Sequence, residues 1–295
     1  MDVLLNCPPR VFAVSLISLL LAARAGRYVE TRWSALTGEE KEQFKTVVAA
    51  TLTLLGLLIG FSFSMALTRY DQRKDYEEAE ANAIGTAYLR AGLLPPADAD
   101  HVKGLLKKYT DLRIRFYEER REDNVAGIDD DTLHVQNELW SVVEPVAALQ
   151  PTAVMALAVA GMNDVLNTQG STQAAWWNRI PTTAWQLMAA IAIACCALVG
   201  YSGHKTRGST LLILPIVLST AFFLIAEIDS PRHGLIRVLP QNLISVAHDM
   251  ASSDRQVRRD EQGGQDGQDR LDRQDGRTLT TAPAAMPSRG QGNPR

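Results

Sequence analysis

Cysteine is scarce in this 295-residue chain: there are three, Cys7, Cys195 and Cys196, and two of them are adjacent in an apolar stretch. That arrangement gives no disulfide framework and no metal-ligand spacing, and adjacent cysteines in an apolar helix serve as small packing residues. Excess charge is lacking too. Lys and Arg total 30 against 33 Asp and Glu, a net charge of -3 with no basic run, so there is no phosphate-binding face and nucleic acid is excluded as a partner. No Gly-rich phosphate loop, His-Glu-x-x-His or Gly-x-Ser-x-Gly occurs, and His101, His134, His204, His233 and His248 stand singly. The sequence therefore points to no catalytic residue, metal or cofactor, and the chain is not expected to be an enzyme.

Apolar residues are present in quantity but collected into blocks, so the mean hydropathy of -0.07 averages membrane-like runs with a polar middle and tail. A membrane span needs about 20 mostly apolar residues, because the hydrocarbon core is about 30 Å thick and a helix rises about 1.5 Å per residue. Thr46 to Leu67 meets this with no ionisable group inside. Thr182 to Ser202 and Thr210 to Ile228 form a pair joined by the polar turn Gly203 to Gly208, which reads as a membrane hairpin. Trp176, Trp177 and Trp185 lie at its entry, where amphipathic rings settle at headgroup level, and Pro215 interrupts the last span tolerably. The block Val11 to Ala23 is short. Ala23-Arg24-Ala25 fits a signal-peptide cleavage pattern, yet Asp2 and a single Arg10 make a poor leading segment, so it is read as a membrane helix.

The expected fold is all-α: a polytopic membrane protein with four transmembrane helices and a helical aqueous domain inserted between the second and third. Residues 1–45 hold the first membrane helix and its connecting loop, 46–68 the second, 69–181 the aqueous domain, and 182–250 the hairpin with a membrane-proximal segment. In the aqueous domain, Val102, Leu105, Tyr109, Leu112 and Phe116 recur at helical spacing, and Leu133, Gln136, Leu139, Val143 and Val146 continue less strictly. Pro95-Pro96, Asn124 to Asp131 and Pro151 punctuate it into roughly four helices. Asp129-Asp130-Asp131 reads as a helix start or solvated turn rather than a calcium loop. Residues 251–295, rich in Gln, Gly, Asp and Arg, cannot offset chain entropy by burial and are expected to be disordered. Basic residues flank the membrane almost equally on both sides, so charge does not decide the orientation.

The second span does not stop at the membrane. Leu54 through Tyr70 runs directly into Asp71-Gln72-Arg73-Lys74-Asp75-Tyr76-Glu77-Glu78-Ala79-Glu80-Ala81-Asn82, with no break between them. A membrane helix continuing into water as one rod couples an intramembrane surface to an aqueous domain. Gly56, Gly60, Ser64 and Thr68 fall four apart along it, a small-residue face on which membrane helices pack closely. Glu227 and Asp229, beside Arg232 and Arg237, read as an interfacial ion cluster at the end of the fourth span.

The run Gly60-Phe61-Ser62-Phe63-Ser64-Met65, then Arg69-Tyr70, then Glu80 to Arg90, resembles the bestrophin-like membrane proteins of bacteria. So do Asn178-Arg179-Ile180-Pro181 and Asp229-Ser230-Pro231-Arg232-His233-Gly234-Leu235-Ile236-Arg237-Val238. His233 departs from the family's second arginine, and Leu239-Pro240-Gln241-Asn242 from its more usual closing motif. A remoter similarity, through Ile59-Gly60-Phe61 and Arg69-Tyr70, is to bestrophin ion channels. That resemblance implies a homo-oligomer, a pentamer, in the inner (plasma) membrane. Its termini and helical domain would be cytoplasmic, and its partners would be membrane lipid, further copies of itself and inorganic ions. It implies an apolar neck near Thr53, Leu57 and Phe61, flanked by Ser62, Ser64 and Arg69, the first two serving as pore ring or packing residues and Arg69 as ring or headgroup anchor. Asn82, Arg90, Asp229, Arg232 and Arg237 are the structural residues of the family motifs. The competing reading is a non-conducting scaffold or sensor whose helical domain binds a cytoplasmic partner.

Overall fold

The computed structural model describes residues 7–32, 38–202, 210–256 and 259, and among them there is no strand. Seven helices follow one another: α1 Pro8–Arg32, α2 Gly38–Ala91, α3 Pro96–Glu118, α4 Glu122–Leu149, α5 Ala153–Trp177, α6 Thr182–Ser202 and α7 Thr210–Asp229. An eighth, α8, starts at 241 and runs through 256. The chain forms two compact units, Met1–Ala247 and His248–Arg295.

Four stretches are long and apolar enough to cross a membrane: Pro8–Arg32, Glu42–Ala91, Ala153–Ser202 and Leu211–Asp229. The third is divided by Pro181 into α5 and α6. Their shared core is apolar, with Leu19, Leu55, Met188, Ala192, Cys195, Phe222 and Ile225 packed together. In this core α1 crosses α6 backbone to backbone: a Cβ on Gly26 would collide with the Ala197 carbonyl, and one on Gly200 with that of Ala23. Small residues give two membrane helices this closeness. Such packing makes α1 a full member of the bundle.

In the first unit α2 outlasts the membrane core and packs against α3 and α5, while α4 closes over α3 and α5. Val102, Leu105, Tyr109, Leu112 and Phe116 are all buried, as their spacing predicts. The α4 seam differs from the expectation. Leu133 is 56% exposed, and Ile128, Thr132, Val135, Leu139 and Val143 face inward.

The punctuation at Asn124 to Asp131 also needs correcting, because these residues lie within α4 and the break falls at 119–121. The Glu119 carboxylate caps this break, accepting from Arg121 N at 2.8 Å and Asn124 Nδ2 at 3.0 Å. Those two bonds hold its pKa below the usual carboxylate range. Glu122 and Asp123 then complement the positive end of α4. With the extension of α2, the domain does comprise four helices.

Trp177 is exposed, but Trp176 and Trp185 are buried, the former against Phe116 and Tyr117 and the latter against Phe222. The hairpin turn at 203–208 lies outside the described residues, as does nearly all of the expected disordered tail. Of that tail, residues 251–256 continue α8 as helix.

Candidate functional site

The 54 residues of α2 form one helix about 80 Å long. It persists because no proline interrupts it from Gly38 to Ala91 and because hydroxyls in its apolar half are satisfied internally. Thr51, Thr53 and Thr68 donate to the carbonyls of Val47, Ala49 and Ser64 at 2.7, 2.9 and 3.0 Å. Each is a bond to the residue four back, so none needs a partner in lipid.

The helix has two distinct faces. Leu55, Ala66, Arg73, Glu77, Glu80, Ala81, Ile84 and Ala87 are buried against the rest of the unit. On the opposite side Thr53, Leu57, Phe61, Ser64, Thr68, Asp71, Asp75, Glu78 and Asn82 are exposed. Only 6% of its most apolar window is buried, against 44% for α7. A Cβ on Gly56 or Gly60 would meet nothing within 4 Å. The glycines that bring α1 and α6 together are filled by a neighbour; those of α2 are left open within the chain.

The inward face is polar beyond the membrane and binds a different segment at almost every turn. Arg69 lies 3.7 Å from Asp229, whose carboxylate accepts the Ile180 N–H at 3.1 Å. Arg73 donates to the Ile228 carbonyl at 2.8 Å. Glu77 receives Asn242 N at 2.9 Å, Asn242 Nδ2 at 2.6 Å and Leu243 N at 3.0 Å, capping the start of α8. Glu80 pairs with Arg113 and accepts from Thr172 Oγ1 at 3.1 Å. Arg90 approaches the Leu157 carbonyl at 3.4 Å and Asp164 at 3.8 Å. The rod is thus joined in turn to the α5–α6 junction, the end of α7, the start of α8, then α3 and α5.

Electrostatics in this interior are those of a dry, paired core. Glu80 and Arg113 are completely buried. Burial acts against the Arg113 charge, but Glu80 and the phenols around it leave its pKa raised overall. Burial and the same carboxylate push the Tyr109 and Tyr117 phenols far up. Arg232, after α7, lies between the rings of Phe116 and Trp176, at 4.6 and 4.5 Å from their centroids. It donates to the carbonyls of Phe116 at 2.9 Å and Glu119 at 3.0 Å. Burial lowers its pKa, and Asp129, Glu122 and Glu119 oppose that. Asp129 is raised by its own partial burial.

The motif residues separate accordingly. Thr53, Leu57, Phe61 and Ser64 share the open face of α2, whereas Ser62 is buried on the other side and Arg69 is turned toward Asp229. The expected cluster at the end of α7 divides: Asp229 pairs with Arg69, Glu227 accepts the Leu235 N–H, and Arg232 reaches across to α3. Arg237 is half-buried, His233 and Asn82 are exposed. Sequence reasoning missed Arg73, Glu77, Glu80, Arg113 and Thr172. The available signal was the spacing of Arg69, Arg73, Glu77 and Glu80 along one side of α2, opposite Leu57.

Among the described residues no group of three or more His, Cys, Asp or Glu is placed to hold a metal ion. No curated protein matches the chain's sequence. Solved structures do match its fold. A bacterial bestrophin homologue from Klebsiella pneumoniae is 10% identical, with 82% of this chain and 96% of that one covered at a TM-score of 0.56. A variant of it is 12% identical, covering 82% and 97% at 0.57. Another, described as a membrane protein, is 11% identical, covering 83% and 97% at 0.56. The family model described as the bestrophin-like domain matches residues 12–243. With that match spanning most of its length, this four-span helical membrane protein belongs to the bestrophin-like family.

Proposed function

We propose that the protein is an oligomeric ion channel in which α2 from each copy surrounds a shared axis and Thr53, Leu57 and Phe61 form an apolar neck. The observation that carries this reading is the bare face of α2: the longest helix, with an apolar middle, is the least covered by its own chain. An apolar constriction controls ion passage by dewetting, while polar groups beside it influence which ions approach. Leu57 and Phe61 lie on that face at 53% and 61% exposure, within the apolar half of the rod. Gly56 and Gly60 on its flank let the same helix of a neighbouring copy approach closely. Membership of the bestrophin-like family and the resemblance to bestrophin channels support this assignment, a ring of five, and termini and polar domain in the cytoplasm.

The polar interior gives the arrangement its rigidity. Arg69, Arg73, Glu77 and Glu80 fix the buried side of the rod, and so fix which side faces the axis. The test is current through planar bilayers containing purified oligomers. Wild-type protein is expected to conduct, and replacing Leu57 and Phe61 together by Ala is expected to change conductance or gating. No current from verified oligomers across varied pH and ions would overturn the channel. Capture of a cytoplasmic partner that needs residues 71–181 and ignores neck substitutions would replace it with a scaffold.

A further inference from the structure

Beyond the neck, the open face of α2 changes from apolar to acidic without changing direction. A helix turns about 100° per residue, so 18 residues make about five full turns and bring Asp75 directly into line with Leu57, about 27 Å further along the rod. Asp71 and Glu78 fall within about 60° of that line, and Asn82 within about 20°. All four are exposed. Among the described residues none of the three carboxylates has a hydrogen bond or ion pair within the chain.

The cations of the same stretch are disposed the opposite way. Arg69 is turned to Asp229, Arg73 is buried on the Ile228 carbonyl, and Arg90 is engaged by Asp164 and the Leu157 carbonyl. Lys74 is exposed but about 100° round the helix from Asp75. Every charge on the line of the neck is therefore negative.

From this geometry we propose that Asp71, Asp75 and Glu78 make the conduction path select cations over anions. The inference rests on the channel reading above. Copies arranged round one axis repeat each carboxylate as a ring, and three successive rings over about two turns line the vestibule below the neck. They form a field rather than a chelating site, acting on hydrated ions within a Debye length, about 10 Å at 0.1 M salt. Cations are concentrated at the neck and anions depleted there. High salt weakens both effects.

The test is the reversal potential of the reconstituted channel under a tenfold KCl gradient. Wild-type current is expected to reverse near the potassium equilibrium potential. The triple variant Asp71→Asn, Asp75→Asn, Glu78→Gln is expected to reverse closer to zero and to lose conductance several-fold at 0.1 M salt but little at 1 M. Neutralising Asp100, an exposed carboxylate on α3, should leave the reversal unchanged. Current that reverses near the chloride potential, or a triple variant indistinguishable from wild type, overturns cation selection and leaves the channel standing. Absence of current from verified oligomers overturns both.

Discussion

Arg73 Nη2 donates to the carbonyl of Ile228 at 2.8 Å, tying the rod that leaves the membrane to the last turn of the final span. A helix-terminal carbonyl has no partner of its own, so the guanidinium satisfies a group that would otherwise be orphaned in a buried place. Shortening Arg73 to Ala should destabilise the protein by about 1.5–3 kcal/mol, the usual size for a bond to a charged group. Thermal unfolding in detergent measures it, and Arg73→Lys should recover part of the loss.

The Glu80–Arg113 pair makes a sharper test of the polar core. Both side chains are completely buried, so Glu80→Ala strands a guanidinium and should cost about 3–5 kcal/mol. Removing both charges, as Glu80→Gln with Arg113→Met, should cost less than the single change. A double-mutant cycle on unfolding midpoints reads the difference. Additive losses would mean the two charges do not depend on each other.

Alkaline pH should act through Tyr109. Its pKa in the folded protein lies above the unfolded value of about 10, so its contribution to stability is full below pH 10 and declines as pH rises beyond it. The slope is about 1.4 kcal/mol per pH unit for a phenol that stays protonated only when folded. Tyr109→Phe removes this titration. Unfolding midpoints between pH 8 and 11 should therefore fall less steeply in the variant than in the wild type.

Glycines separate contacts within the chain from contacts between copies. Gly200→Ala places a methyl group on the Ala23 carbonyl and should disturb the fold itself. Gly60→Ala meets nothing within 4 Å in its own chain. It should leave secondary structure and unfolding unchanged while weakening the oligomer, a contrast that circular dichroism and native mass in detergent resolve.

These contrasts also mark what the sequence could convey. The four apolar blocks and the continuous rod were legible because membrane thickness sets a length and the absence of proline sets continuity. The seam Val102 to Phe116 was legible because burial imposes helical spacing. The α4 register was less so: Leu133 fits the pattern, but Thr132 and Gln136 are buried, and polar residues in a core are invisible to hydrophobic periodicity. The break at Glu119–Arg121 was hidden for a related reason, since it depends on a carboxylate capping a turn rather than on glycine or proline. At the site, resemblance singled out Leu57 and Phe61, and the structure leaves both on an uncovered face. It also singled out Ser62, which burial at 8% exposure puts on the other side of α2. Arg73 and Glu77 escaped attention because a run of charges after a span reads as solvated until the fold turns half of them inward.

The account stands or falls on what the open face of α2 meets, and an electron cryomicroscopy map of the full-length protein in lipid nanodiscs measures that directly. The expected result is a ring of copies, five by resemblance, with α2 innermost and Leu57, Phe61 and Asp75 facing the axis. A monomer, or a ring in which Leu57 and Phe61 face lipid, would contradict it.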